Sequence, residues 1–164
     1  MKTVLVDEIP ESKDDFFFIG VSGTRKWTDY ENFSEIMTMV FVALQEAYML
    51  DREEMAVVSG GARGVDEMAE IWAREMNLSA FVIKPNWKRW GRVAGPIRNS
   101  KIVELADSLV TFSSPDSTGT VDTLKKARKK GIPILHIELT TDGGLDEESC
   151  QERWDEFVET ISPF

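Results

Sequence analysis

The chain predicts an α/β fold: a Rossmann-like, doubly wound parallel sheet of about five strands with helices on both faces. Three observations carry this prediction. Short, wholly apolar runs alternate with longer stretches of helical periodicity, the pattern of βα units joined by right-handed crossovers. The apolar runs are continuous rather than alternating, as strands buried on both faces require. The strand-to-helix junctions at residues 60–66, 84–99 and 117–120 are punctuated by glycine and proline, and such junctions aim backbone N–H groups at whatever lies above the sheet.

Residues 16–21 are the first core strand, closed by Ser22 and Gly23. Residues 31–50 follow as a long helix, apolar at Phe33, Ile36, Met37, Val40, Phe41, Leu44 and Tyr48, with Asp29 or Asn32 placed to cap its start. Met39 and Val42 widen its apolar stripe, so part of it is expected to meet a second subunit. Residues 55–59 form the second strand and 65–76 the next helix, with Met68, Ala69, Trp72 and Ala73 on one side. A strand at 80–83, a helix at 99–106 and a strand at 108–112 continue the series. The helix at 121–130 is stopped by Gly131, and a fifth strand spans 132–137. Residues 146–161 close the chain as a helix that packs back on the sheet through Trp154, Phe157, Val158 and Ile161. Residues 1–15 are read as an N-terminal arm, and residues 1–164 as one domain.

Composition bounds the function. A chain of 164 residues, 42% of them hydrophobic, holds one real core. With 29 acidic against 19 basic residues and a net charge of −10, neither general nucleic-acid binding nor membrane-surface binding is expected, since such proteins present a basic face. A single cysteine, Cys150, and a single histidine, His136, provide no zinc set, and no metal or cofactor is expected. The N-terminus lacks the long apolar core of a secretory signal, and no run reaches membrane-spanning length, so a cytoplasmic protein is expected.

The junctions hold the chemistry. Residues 60–64 turn tightly after a strand, Gly60 and Gly61 let the backbone approach a ligand, and Arg63 offers a forked donor to phosphate or carboxylate. Asp66 either satisfies the first helical turn or holds a ribose hydroxyl. In the third junction Trp87 and Trp90 lie among Lys84, Lys88, Arg89 and Arg92. Indoles placed in a loop can stack on a base, although at least one is expected to plug the sheet end. Pro96 suits a first helical turn, which leaves Arg98 and Asn99 near a helix start. Ser117, Thr118, Gly119 and Thr120 offer hydroxyls and amides to an anion, and Ser22, Gly23, Arg25 and Trp27 a further wall. The basic run at Lys125, Lys126, Arg128, Lys129 and Lys130 reads as a solvated face at a helix C-terminus. His136 reads as core.

These loops resemble the SLOG superfamily, the Rossmann-like group that includes the Lonely-guy phosphoribohydrolases and the DNA-processing protein A fold. The likeness is to its small bacterial and phage members of the YspA type. It rests on residues 59–66 with Ala69, Trp72 and Ala73, then on Pro85, Trp87, Gly91, residues 94–96, Arg98 and Asn99, and it covers about residues 16–137. The resemblance implies binding of a nucleotide or an ADP-ribose-like ligand in the pocket above the sheet, by a sensor or sequestering protein that forms a homodimer. Lonely-guy enzymes carry Pro-Gly-Gly-x-Gly-Thr-x-x-Glu after the fourth strand and use that glutamate in N-glycosidic hydrolysis. Here Pro115, Gly119 and Thr120 match, Asp116 and Ser117 replace the paired glycines, and Thr123 stands at the glutamate. A threonine cannot do a carboxylate's work, so a phosphoribohydrolase would need Asp66 or Asp122 instead. Asp122 comes one residue early, a rotation of about 100° that is expected to turn it away from the site.

Overall fold

The computed structural model describes residues 3–6 and 11–162, so the ends of the single domain read over 1–164, and part of the arm read over 1–15, lie outside the described residues. Its strands are β1 (Thr3–Val6), β2 (Phe17–Gly23), β3 (Met55–Ser59), β4 (Ser79–Ile83), β5 (Ser108–Ser113) and β6 (Ile134–Glu138). They form one six-stranded sheet in the order β1-β4-β3-β2-β5-β6, parallel at every pairing. The sheet thus has one strand more than expected. Thr3–Val6, placed by sequence in the arm, pairs with Ala80–Ile83 and forms the edge.

The helices are α1 (Tyr30–Tyr48), α2 (Val65–Glu75), the single turn α3 (Trp87–Trp90), α4 (Ala94–Leu105), α5 (Thr118–Lys130) and α6 (Glu147–Ile161). Side chains alternate across each strand, and the two faces therefore build two cores. Ile19, Val21, Val57, Val110 and Ile137 pack with Phe33, Met37 and Leu44 of α1, Met68 and Trp72 of α2, and Phe157 of α6. Phe18, Ala56, Val58, Phe81 and Ile83 pack with Ile102 and Leu105 of α4 on the other face, and Leu109 meets Val103 of α4 and Leu124 of α5.

Local contacts fix the long elements. Asp29 caps α1 by accepting the Asn32 N–H at 3.2 Å, and the Trp72 indole N–H donates to Thr38 Oγ1 at 3.2 Å, tying α2 to α1. The basic run of α5 is more than a solvated face. Lys130 Nζ donates to the carbonyls of Val103, Glu104 and Ala106 at 2.7–2.8 Å and so caps the C-terminus of α4. Lys126 Nζ donates to the Pro96 carbonyl at 2.7 Å near the other end of α4. On the outer side of α1, Met39, Val42 and Tyr48 are exposed.

Strand order places the site. From β2 the chain winds outward through β3 to β4, then returns to lay β5 on the other side of β2. The loops leaving β2 and β5 diverge at that reversal, and a crevice opens between them at the carboxyl ends of the strands.

Candidate functional site

A cavity of ≈ 530 Å³ fills this crevice. Ser22, Gly23, Thr24, Arg25 and Lys26 line it from the end of β2, Ala62 and Asp66 from the β3–α2 junction, and Trp87 from α3. Pro96, Arg98, Asn99 and Ile102 come from α4, and Asp116, Ser117, Thr118, Gly119, Thr120 and Asp122 from the β5–α5 junction. A second cavity of ≈ 730 Å³ adjoins it, sharing Arg25, Lys26, Ala62, Trp87 and Arg98 and adding Gly60, Gly61, Arg63, Lys84 and Pro85. The sequence-predicted residues therefore lie at one sheet edge but divide between two compartments. Arg63, Gly60, Gly61 and Lys84 line only the second, whereas Arg98 and Trp87 line both.

The β3–α2 junction is folded by its own contacts. Gly64 has φ 71°, and a Cβ there would stand 2.5 Å from the Thr24 carbonyl oxygen. Val65 N–H donates to that same carbonyl at 3.1 Å. A Cβ on Gly60 would meet the Arg98 guanidinium at 2.2 Å, because Arg98 Nη1 donates to the Gly60 carbonyl at 2.7 Å. Asp66 accepts the Ala62 N–H at 3.1 Å. The amides of Ala62 and Val65 are thus occupied by the fold, which corrects the expectation that this loop presents its N–H groups to a ligand. Burial pushes the Asp66 carboxyl up to about 6, although the Ala62 N–H and the nearby Arg98 charge pull it down.

The β5–α5 junction differs. Helix α5 starts at Thr118 rather than at 121, so Gly119 and Thr120 sit in its first turn. The Ser117 and Thr118 amides donate to Ser114 and Asp116 carbonyls, while the helix itself provides no partner for those of Gly119 and Thr120. A Cβ on Gly119 would touch nothing within 4 Å.

Helix phase overturns the expectation for Asp122. The buried positions of α5 are Thr120, Thr123, Leu124 and Ala127, so Thr123 points into the protein, with its hydroxyl donating to the Gly119 carbonyl at 3.1 Å. Asp122 lines the cavity instead. It accepts from Asn99 Nδ2 at 3.1 Å and Lys126 Nζ at 2.8 Å. Burial opposes its ionisation, but those two donors hold the carboxyl below its usual range. Arg98 and Asn99 are displaced too: α4 begins at Ala94, which puts them in its second turn.

Two aromatic assignments change. Trp27 is core rather than wall, buried and stacked on Phe112 at 5.3 Å between ring centroids. Neither Trp87 nor Trp90 plugs the sheet end, since they are 55% and 39% exposed. His136 is half-buried in β6, with Nδ1 2.7 Å from Thr111 Oγ1. Lys26 and Asp116 were not singled out for the site. They form an exposed ion pair of 2.8 Å on the cavity rim, and Lys26 holds Asp116 down to about 2. The signal available was the adjacency of Lys26 to Arg25. Arg25 itself is exposed and makes no ion pair among the described residues. Among the described residues no group of three or more His, Cys, Asp or Glu is arranged to hold a metal ion, and no helix is long and apolar enough to cross a membrane.

A doubly wound sheet with a polar crevice at its reversal point, lined by both basic and acidic side chains, defines a Rossmann-like domain. The comparisons with known proteins narrow the class. Residues 19–90 match the YspA, cpYpsA-related SLOG family, and the Gene 61 protein of Mycobacterium phage D29 is 33% identical over 123 residues, 71% of this chain and 93% of that protein. The chain belongs to this SLOG family. Among solved structures, DNA processing protein A from Streptococcus pneumoniae superposes with a TM-score of 0.61 at 19% identity over 88% of this chain, which spans 58% of the length of that protein. DNA processing protein A from Helicobacter pylori gives 0.58 at 16% identity, over 94% of this chain and 84% of its own. The latter structure concerns a single-stranded DNA binding mode. That finding corrects the inference drawn from net charge. A protein of similar fold binds single-stranded DNA, so a net charge of −10 does not by itself exclude a nucleic-acid partner.

Proposed function

We propose that this protein binds a nucleotide or a nucleotide-derived ligand of the ADP-ribose type in the crevice between the β2 and β5 loops, as a sensor or sequestering protein. The observation that carries the reading is the meeting of Arg25 and Arg98 with the first turn of α5 around one cavity of ≈ 530 Å³, large enough for a nucleotide. In this reading the Gly119 and Thr120 amides, with the hydroxyls of Ser117 and Thr118, take a phosphate, joined by Arg25. Arg63 and Lys84, in the adjoining cavity, take a second phosphate. Trp87, between the two, stacks on the base. Asp66 holds a ribose hydroxyl. The exposed side of α1 is the proposed homodimer contact, which sedimentation tests directly. Thermal shift with AMP, ADP-ribose and inorganic phosphate tests the binding reading: stabilisation by the nucleotides beyond phosphate alone is expected. No shift with any adenine or ADP-ribose ligand at millimolar concentration sinks it.

One observation favours a second reading, N-glycosidic hydrolysis of a nucleoside monophosphate. Asp66, raised to about 6, and Asp122, held ionised, line the same cavity, and carboxylates pushed apart in this way suit an acid and a base. Free base released from AMP, and abolished in Asp122→Asn, would establish it.

A further inference from the structure

From Met76 to Val103 the chain contains no Asp or Glu, although Lys84, Lys88, Arg89, Arg92, Arg98 and Lys101 all fall there. In a protein of net charge −10 this is a sharp segregation. The fold concentrates it further. The ≈ 730 Å³ cavity brings Arg25, Lys26 and Arg63 from other loops beside Lys84 and Arg98, and no acidic side chain lines it. Beyond it lies α3, whose exposed residues include Lys88, Arg89 and both tryptophans. The Arg89 guanidinium sits 4.7 Å from the centroid of the Trp90 ring, so a cation already lies against that indole. Two exposed indoles three residues apart in one helical turn, set among basic side chains, are the elements of a base-stacking platform.

We propose that α3 and this basic cavity form a ledge for single-stranded nucleic acid, with successive bases stacked on Trp87 and Trp90 and the phosphates tracked by Lys84, Lys88, Arg92 and Arg63. A single strand fits where a duplex does not. The indoles need unpaired base faces, and one helical turn is too short to lie along a groove. Trp87 lines both cavities, so the ledge continues outward from the proposed nucleotide site and shares Trp87, Arg63 and Lys84 with it, while Trp90, Lys88 and Arg92 belong to the ledge alone.

Fluorescence anisotropy with a labelled oligothymidylate of about twelve nucleotides, within the range such surfaces cover, tests the proposal. The expected result is binding that weakens with salt, by a log–log slope of about 0.7 per phosphate contacted. Trp87→Ala and Trp90→Ala should each weaken it about tenfold, and the double variant Lys88→Glu/Arg92→Glu should shallow the slope by about 1.4. All these side chains are exposed, and melting curves verify that the variants fold. The ledge is overturned by no binding at low salt, by equal affinity for the matching duplex or for polyglutamate, or by undiminished binding in the tryptophan and charge-reversal variants. AMP and ADP-ribose melts on the parent, Trp90→Ala and Lys88→Glu/Arg92→Glu proteins report the nucleotide site separately, so either reading can fail while the other stands.

Discussion

Two turns at one sheet edge use glycine for opposite reasons. In the β3–α2 turn, Gly64 is required by the protein: its φ is 71° and a Cβ would strike backbone atoms of Thr24 and Arg25 at 2.5–2.7 Å. In the β5–α5 turn, Gly119 has nothing within 4 Å of the place a Cβ would occupy. The first turn is a structural clasp holding β2, α2 and α4 together, whereas the second is space left over the first turn of a helix. Glycine in a strand-to-helix turn therefore does not by itself mark ligand contact, and these two positions separate the cases.

The largest effect should come from Gly64→Ala. A side chain at positive φ, driven into backbone that cannot rotate away, is expected to cost about 4 kcal/mol of stability. Chemical denaturation measures this, and a loss below about 1 kcal/mol would show that the clasp yields and that the two turns are alike.

Asp66 sharpens the clasp further through pH. Its carboxyl takes up a proton near 6 in the folded state against an ordinary value of 3.8, so between those pH values the folded chain binds more protons than the unfolded one. Stability then falls as pH rises across that window, by roughly 3 kcal/mol in total, and is flat above it. Asp66→Asn should remove this slope and leave the variant the more stable form at neutral pH, provided the amide oxygen still accepts the Ala62 N–H. Denaturation midpoints of both proteins from pH 4 to 7 check the difference. ADP-ribose affinity tests the other side of the residue: loss of the Asp66 charge below pH 6 should tighten anion binding in the parent and not in Asp66→Asn.

Arg25 belongs to neither turn, and it isolates binding from folding. Exposed and without an ion pair among the described residues, it should tolerate Arg25→Ala with little change in melting temperature while ligand affinity falls by about 2 kcal/mol, the size of one charged hydrogen bond. Calorimetric titration with ADP-ribose reads this directly, and unchanged affinity would remove Arg25 from the site.

The sheet and helices were legible because burial on both strand faces and 3.6-residue periodicity are written in apolar residues. The edge strand β1 was not, since four residues pairing along one side leave no such pattern. Two helices start earlier than their apolar periodicity indicates. Gly95 in α4 and Gly119 in α5 are poor helix formers, and the helices begin at Ala94 and Thr118 despite them. The expectation for Asp122 differs from its observed position for a separate reason. Its phase was inferred from a glutamate expected at position 123, whereas Thr120, Thr123, Leu124 and Ala127 form the buried stripe and turn 122 to the crevice. Lys26 and Asp116 meet across 90 residues of sequence, a pairing that only the reversal between β2 and β5 creates.

The smallest predicted effect decides most about the second turn. Gly119→Ala places a methyl where the protein has no atom to meet it, in a helical turn where alanine is the better former. Stability should rise by about 0.5 kcal/mol. If a phosphate lies against this turn, the same methyl occupies its place, and nucleotide affinity should drop although the fold has improved. Opposite signs in the melting and binding measurements would fix Gly119 as ligand space. A rise in stability with affinity unchanged would move the phosphate away from α5 and toward the Arg63 and Lys84 compartment.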